Sequence, residues 1–272
     1  MTPLALAPPP AALVFDQMAS EYDDVFTNSM IGRAQRETVW NMLTQIFGSG
    51  DHILELNCGT GEDALFLARN GVSVTACDTS EQMIRIASSR LRTEAPHAAV
   101  EFNLLPTERL RDLKTTATFD GAFSNFSGLN CVADLKQTAD DLATLLATGT
   151  PLLICLSTRF CVWEMLWFLA HGNLRKAFRR CSGHATAKVG DVIVDVYYPT
   201  VSMLQSLFSP SFALRSYRGI GVTVPPSYAE SWIRMHPKLL KIFRTIDRSI
   251  SALPGFRVLG DHVLLHFERI PS

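Results

Sequence analysis

A glycine-containing turn flanked by acids is the first group of residues with recognisable chemistry. Gly59 and Gly61 follow an apolar run that contains Glu55, and the helical pattern after them opens with Glu62 and Asp63. Glycines in such a turn let a ligand approach bare backbone at the start of a helix. Three acids around the turn disfavour a phosphate group and favour a ligand that carries positive charge.

A further acid, Asp78, stands 17 residues after Gly61, at the end of the next apolar run. At this position of a strand–helix–strand unit a carboxylate accepts hydrogen bonds from ribose hydroxyls. A cationic ligand that contains an adenosine without phosphate satisfies both observations. S-adenosylmethionine, with a sulfonium and an ammonium group, is such a molecule, and we expect it to be the cofactor.

The strings ELNCGTG (55–61) and CDTSEQM (77–83) resemble the first two motifs of the class I S-adenosylmethionine-dependent methyltransferases. The resemblance covers about residues 15–158 and the last predicted strand. It implies a loop beside the methionine part of the cofactor, a ribose acceptor at Asp78 and a packing surface for the adenine at Met83. The expected cofactor-binding residues are Tyr22, Arg33, Glu55, Asn57, Cys58, Gly59, Gly61, Asp78, Thr79, Met83, Thr107 and Asn125.

Four of these positions, namely Asn57, Thr107, Tyr22 and Arg33, either depart from the family's motifs or lie outside them. Asn57 stands where the family has its first glycine, and asparagine tolerates a positive φ better than most residues. Thr107 or Glu108 would replace the acid that many relatives use to bind the adenine amino group. Relatives with a similar N-terminal segment close a tyrosine, here Tyr22, over the cofactor carboxylate. Arg33 or Arg36 would assist it, although a solvated helix arginine is an equally good interpretation of each.

The elements that must position these residues alternate between strand and helix. Apolar runs separated by helical patterns predict an α/β protein with a parallel sheet and crossover helices. The resemblance implies a Rossmann-like, doubly wound sheet of seven strands in the order 3-2-1-4-5-7-6, with the last strand antiparallel. The expected strands are 52–56, 73–78, 100–105, 119–125, 151–157, 212–219 and 261–269.

Two insertions are expected to interrupt this sheet and to form a helical cap. They comprise residues 159–198, which include a predicted hairpin turn at Gly190-Asp191, and residues 226–256. The methyltransferase core would then be residues 15–158, 199–225 and 257–272. Residues 1–14 contain three consecutive prolines and are expected to be a disordered tail.

The sequence gives fewer indications of which residues bind the methyl acceptor or take part in the transfer. The string FSNFSGLN (123–130) stands where the methyl acceptor meets the sulfonium in this family. Asn125, His171 and Tyr228 are candidate catalytic residues, and Phe126, Trp163 and Trp167 are expected to contact substrate. Three other histidines beside or within the insertions, namely His184, His236 and His262, could equally deprotonate a hydroxyl. Capping or packing is the alternative role for every one of these residues.

Charge divides the chain of 272 residues into unequal halves. Residues 1–158 hold ten Lys and Arg against nineteen Asp and Glu, a net charge of −9, and residues 159–272 hold fifteen against seven, a net charge of +8. The six cysteines form no CxxC pair and no metal-binding pattern, so we expect reduced thiols, a cytoplasmic protein and no metal. No run is long enough to predict a transmembrane helix.

These observations favour an enzyme that uses S-adenosylmethionine to methylate a hydrophobic small molecule, lipid-like, aromatic or polyketide-like, with oxygen as the first choice of acceptor atom. An anionic group or a membrane surface would be a further partner of the basic cap. An RNA or protein methyltransferase that docks through the basic half is one alternative, although no RNA-binding module is recognisable and nucleic acid is not the expected partner. A non-catalytic binding protein is the other.

Overall fold

Seven strands form one central sheet in the computed structural model of the chain, which describes residues 8–115 and 118–271. Their spatial order is β3-β2-β1-β4-β5-β9-β8. Neighbours from β3 to β5 are parallel, and β9 is antiparallel to both β5 and β8. If the separate hairpin β6-β7 is left out and the seven strands are renumbered along the chain, this is the expected order 3-2-1-4-5-7-6. The strands are β1 (His52–Leu56), β2 (Ser73–Asp78), β3 (Val100–Leu104), β4 (Gly121–Ser124), β5 (Pro151–Ser157), β6 (His184–Val189), β7 (Val192–Tyr197), β8 (Phe212–Ile220) and β9 (His262–Arg269).

Helices cover both faces of the sheet. Several begin at side-chain caps, for example Ser80, whose hydroxyl accepts a hydrogen bond from the backbone N–H of Met83. The helices are α1 (Pro10–Tyr22), α2 (Met30–Ile46), α3 (Glu62–Arg69), α4 (Glu81–Glu94), α5 (Leu135–Leu145), α6 (Val162–Ala170), α7 (Leu174–Ala177), α8 (Val201–Phe208), α9 (Glu230–Met235) and α10 (Pro237–Ile250).

The core consists of two apolar layers, one on each face of the sheet. Leu54 and Leu56 of β1 belong to the layer that includes Leu142 of α5. Ile53, which directly precedes Leu54, belongs to the layer that includes Val39 of α2. Because successive side chains of a strand point to opposite faces, the apolar run of β1 contributes to both layers.

One edge of the sheet collects the polar residues. The carboxyl ends of β1, β2, β4 and β5 lie there, and β9 begins there because it runs antiparallel to β5. Ligands of doubly wound sheets bind outside the carboxyl ends of the strands. This edge is therefore where a site is to be sought.

The expected N-terminal tail is wrong for the part that the structure describes. Residues 1–7 lie outside the described residues, but the chain is helical from Pro10. Proline is well suited to the first turn of a helix, and burial of Ala12 and Val14 stabilises the helix against the rest of the molecule. Helix α1 packs on α4 and on β7.

The two segments expected to form a cap contact each other. Residues 159–198 contain α6, α7 and the hairpin β6-β7, whose turn is Gly190-Asp191 as predicted, and residues 226–256 contain α9 and α10. The ring centroid of Trp163 lies 6.1 Å from that of Trp232 and 5.7 Å from that of Phe243. None of the helices formed by the described residues has the length and apolar character that crossing a membrane requires.

Candidate active site

The turn between β1 and α3 has the backbone conformation that its sequence predicts. Asn57, Gly59 and Gly61 all have positive φ, of 56°, 53° and 77°. A Cβ added at Gly59 would meet nothing within 4 Å, whereas one at Gly61 would lie 2.8 Å from the Phe102 ring and 2.9 Å from the Cβ of Ala87. Gly59 therefore leaves space open for a ligand, and Gly61 permits close packing of the turn on its neighbours.

Asn57 connects three parts of the site. Its Oδ1 accepts a hydrogen bond from the Ser124 hydroxyl at 3.1 Å, and its Nδ2 donates to Thr107 Oγ1 at 3.1 Å. A Cβ added at Gly128 would lie 2.2 Å from the Cβ of Asn57. The asparagine at the family's glycine position thus ties the turn to the ends of β4 and β3, a role beyond its tolerance of positive φ.

Asp78 holds the same turn from β2. Its Oδ2 accepts a hydrogen bond from the backbone N–H of Gly59, and its Oδ1 accepts one from Ser80 N–H, both at 2.8 Å. The carboxylate is buried, and loss of hydration raises its pKa above the usual value for aspartate. Each oxygen keeps a lone pair for a further donor.

A first cavity of about 580 Å³, part of it open to solvent, lies over the turn. Its wall contains eight of the predicted cofactor residues, including Asp78 and the buried Met83. Thr79 also contributes, and its buried hydroxyl has no hydrogen-bond partner. The predicted residues in the wall are Tyr22, Asn57, Gly59, Asp78, Thr79, Met83, Thr107 and Asn125, joined by Glu108 and Phe126.

Glu55 and Gly61 are not part of this wall. Glu55 is only 1% exposed, and its Oε2 has no hydrogen-bond partner. Burial raises its pKa well above the usual value for glutamate. Burial therefore disfavours the charged form of Glu55, which the sequence interpretation assumes.

A small cleft beside the first cavity is organised by Asp63. Its Oδ2 accepts from Arg36 Nη1 at 2.5 Å and from Asn125 Nδ2 at 3.0 Å, and its Oδ1 accepts from Trp40 Nε1 at 2.6 Å. Tyr22 and Cys58 also line this cleft. Burial raises the pKa of Tyr22 to about 12, so its hydroxyl keeps its proton at neutral pH.

Two predictions change with this geometry. Arg36 faces the cleft, whereas Arg33 is exposed on α2 and donates to Asn28 Oδ1 at 3.2 Å, so the structure does not bring Arg33 to the site. Asn125 lines the first cavity, but both ends of its amide are used, because its Oδ1 accepts from Phe126 N–H at 3.0 Å. Such contacts suit a positioning role for Asn125 better than a catalytic one.

A second cavity of about 1380 Å³, also partly open, lies between α1 and the two segments expected to form the cap. Tyr22, Phe15 and Phe126 line both cavities and form the boundary between them. The second cavity has several apolar walls, contributed for example by Met18 and Phe26. Phe126 has a positive φ of 47°, an unusual conformation for a bulky side chain, at this boundary.

Of the acceptor-side candidates, Tyr228 and Phe126 line the second cavity. Trp163, Trp167 and His171 do not line it. The indole N–H of Trp163 donates to the carbonyl oxygen of Thr223 at 2.7 Å, and the ring of Trp167 stacks on that of His171 with centroids 4.8 Å apart. The indoles pack against the neighbouring segment because its apolar side chains offer more contact than the partly solvated cavity does.

The floor of the second cavity is an ion-pair cluster that sequence analysis missed. Arg180 Nη2 donates to Glu164 Oε2 at 2.7 Å and to Asp261 Oδ1 at 2.9 Å, and Arg179 donates to both Glu164 oxygens. Glu164 is 1% exposed. The signal available in the sequence was Glu164, the one acid in the apolar string FCVWEMLWFLA (160–170). A buried acid needs a partner of opposite charge.

His262 and a pair of serines complete this floor. The ring of His262 lies edge-on to Phe126 with centroids 5.4 Å apart. The hydroxyls of Ser127 and Ser157 lie 2.8 Å from each other. Within residues 8–115 and 118–271, no group of three or more His, Cys, Asp or Glu side chains could hold a metal ion.

Comparison with known proteins agrees with this architecture. A family model described as a methyltransferase domain matches residues 53–149. The demethylmenaquinone methyltransferase of Clavibacter sepedonicus is 30% identical over 156 residues, which are 56% of this chain and 60% of that protein. The chain spans between 55% and 61% of the length of the curated demethylmenaquinone methyltransferases that it matches.

Solved structures resemble nearly the whole chain at low identity. The cyclase SpnF superposes with a TM-score of 0.63 and 14% identity over 98% of each chain. A complex of DhpI with S-adenosylhomocysteine superposes with a TM-score of 0.59 and 15% identity over 97% of each chain. At such identities the similarity concerns the fold alone.

The family match at residues 53–149 contains the turn, Asp78 and the end of β4, and the sheet order is the one that the motifs imply. The cofactor of this family is S-adenosylmethionine. Residues 53–149 therefore match a methyltransferase domain, and the strand order of the sheet is the one that the resemblance to the class I, S-adenosylmethionine-dependent type implies.

Proposed function

We propose that this protein is an enzyme that transfers a methyl group from S-adenosylmethionine to a hydrophobic small molecule, with oxygen as the acceptor atom. The observation that carries the proposal is the pair of cavities that meet at Tyr22 and Phe126. One cavity has the acids and backbone amides that suit the cofactor, and the other has apolar walls with a polar floor. Methyl transfer needs two molecules to be held in contact with water excluded, and adjoining cavities serve that need.

The residues of the first cavity fit the cofactor. Asp78 would accept the ribose hydroxyls, Met83 would pack on the adenine, and the unpartnered hydroxyl of Thr79 is a free donor. The amino-acid end would lie in the cleft, where Arg36 and Tyr22 are suited to its carboxylate. When bound, S-adenosylmethionine supplies a methyl group on a positively charged sulfur.

The use of positive charge favours a small molecule over RNA. Five of the eleven arginines in the basic half pair with acids among the described residues: Arg179 and Arg180 with Glu164, Arg215 with Glu268, Arg234 with Glu230 and Arg244 with Glu37. Arginines held in ion pairs release few counterions on meeting a phosphate backbone. The surplus of charge is thus a weaker argument for an RNA partner than the sequence alone suggests.

The proposal includes three further predictions from the sequence, which concern the cap, the location of the protein and the basic end of the cap. Residues 159–198 and 226–256 would act as one cap over the core of residues 15–158, 199–225 and 257–272. The protein would be cytoplasmic, in keeping with six free cysteines. The basic end of the cap would contact a membrane surface or an anionic group of the acceptor.

Calorimetry with S-adenosylhomocysteine, followed by transfer of labelled methyl groups, tests the proposal. We expect binding of one molecule of S-adenosylhomocysteine per chain and label in at least one member of a panel of apolar phenols. Absence of binding would overturn the assignment of the first cavity. Binding of S-adenosylhomocysteine with label found only in RNA or protein would overturn the choice of acceptor.

A further inference from the structure

His262 lies where an acceptor would meet the cofactor. It is the first residue of β9 and pairs with Ser157 of β5, so it stands at the edge of the sheet that carries the site. Its side chain is 8% exposed and lines the second cavity, and its ring contacts Phe126, which lines both cavities. Among the histidines considered from the sequence, it is the one in the wall of that cavity.

The carboxylate of Asp261 lies beside one ring nitrogen of His262. Its Nδ1 has no hydrogen-bond partner and lies 3.5 Å from Asp261 Oδ2. Asp261 is itself held by Arg180 at 2.9 Å and by Gln35 Nε2 at 3.4 Å. A carboxylate beside one ring nitrogen favours the proton on that nitrogen and leaves the lone pair of the other for a ligand.

The same surroundings keep the imidazole neutral. Burial and the charge of Arg180 lower the pKa of His262, and the charge of Asp261 opposes them in part. Burial raises the pKa of the Tyr228 hydroxyl, so this neighbour keeps its own proton. The titratable or charged groups that also line the cavity are Glu21 and Tyr22 of α1, Glu164 of α6, and Arg179.

We propose that His262 is the general base of the transfer and that the acceptor is an apolar molecule with an acidic hydroxyl, a phenol or an enol. This inference rests on the proposed function. The hydroxyl proton passes to the free nitrogen of His262, and the oxygen forms its bond to the methyl carbon. The methyl–sulfur bond breaks with its electron pair left on sulfur.

The choice of a phenol or enol follows from the strength of the base. A neutral, buried imidazole is a weak base, and proton transfer is efficient only when donor and acceptor are not too far apart in pKa. A phenol has a pKa of about 10, whereas that of water, which an alkyl hydroxyl resembles, is about 16. Only the former is within reach of His262.

The test uses 1-naphthol as the acceptor and compares His262→Gln with His97→Gln. His97 is an exposed histidine away from both cavities and serves as the matched control. We expect the turnover number of His262→Gln to fall at least about a hundredfold, the lower range for loss of a general base. Affinities for S-adenosylhomocysteine, and for 1-naphthol in the S-adenosylhomocysteine complex, should stay within about threefold by calorimetry, and His97→Gln should resemble the wild type.

The pH dependence of the wild type gives a second readout that needs no variant. Because burial lowers the pKa of His262, turnover of 1-naphthol should hold through neutral pH and fall only below about pH 6.5, the ordinary value for histidine. A rate that already falls above about pH 6.5 as the pH is lowered would overturn the proposal. So would full turnover in His262→Gln.

These outcomes separate the inference from the function on which it rests. If the wild type fails to bind S-adenosylhomocysteine, the proposed function itself has failed. If it binds S-adenosylhomocysteine and methylates carbon or nitrogen acceptors but no phenol or enol, the methyltransferase function stands and the role of His262 is overturned.

Discussion

At the scale of single residues, Asp78 has two functions in one carboxylate. Its oxygens accept hydrogen bonds from Gly59 and Ser80, so the acid shapes the turn before any ligand arrives. The remaining lone pairs are those that a ribose would use. A substitution at this position therefore tests both the preorganisation of the turn and a direct contact.

Asp78→Ala should weaken binding of S-adenosylhomocysteine by about ten- to a hundredfold, the loss expected for one hydrogen bond to a charged group. Release of the Gly59 amide adds to the loss, because the turn becomes free to relax. Calorimetry measures the effect, with Asp195→Asn as the control, since Asp195 is exposed on the separate hairpin and pairs with His184 there. An affinity within twofold of the wild type would contradict the ribose assignment.

The sequence indicates contacts within one strand–helix–strand unit, but it does not indicate the ion pairs beneath the second cavity. Gly59 and Asp78 are 19 positions apart within one strand–helix–strand unit, so local spacing was enough to identify them. Arg180 and Asp261 are 81 positions apart, and their contact exists only because the chain returns at β9 to lie beside β5. No local pattern could have indicated that His262 would face the same cavity as Phe126.

At the scale of elements, helix α1 begins at Pro10, whereas the sequence assigns residues up to 14 to a tail. Its apolar N-terminal stretch was interpreted as a tail, because a run with three prolines lacks a helical pattern until its partner surface is known. In the structure Asp16 accepts hydrogen bonds from the Ser80 hydroxyl at 2.6 Å and from Gln82 N–H at 3.0 Å. Helix α1 is thereby fastened to the start of α4 and presents Phe15 and Tyr22 to both cavities.

Asp16→Ala should loosen this helix and weaken binding of S-adenosylhomocysteine by about tenfold, since two hydrogen bonds to a charged acceptor are lost at the side of the first cavity. Amide exchange in residues 10–22 should become faster at the same time. Asp24→Ala is the control, because Asp24 is exposed just beyond the helix. Unchanged exchange in Asp16→Ala would mean that α1 is held in place by apolar contacts alone.

At the scale of the whole molecule, the two halves of opposite net charge contact each other along α2. Glu230, in the positive half, accepts hydrogen bonds from the backbone N–H groups of Met30 and Ile31 at 2.9 and 3.1 Å, where α2 begins. Arg244 of the positive half pairs with Glu37 of α2. The acidic first half and the basic second half thus contact each other around α2, which connects the cleft at Arg36 with the segments above it.

The tryptophans of α6 pack against residues 226–256 and do not line the second cavity, although the sequence predicts that they contact substrate. Trp163 packs on Trp232 and Phe243 and donates a hydrogen bond to the Thr223 carbonyl. Trp163→Ala should lower the unfolding free energy by about 2 kcal/mol or more, with a fall of several degrees in the unfolding temperature. Affinity for S-adenosylhomocysteine should stay within about threefold, because the turn and Asp78 lie in the first half of the chain.

Leu166→Ala is the control, because Leu166 lies on the same helix and is 59% exposed. This variant should leave the unfolding temperature unchanged. A folded Trp163→Ala protein that no longer binds S-adenosylhomocysteine would show that the packing of the two segments also shapes the first cavity.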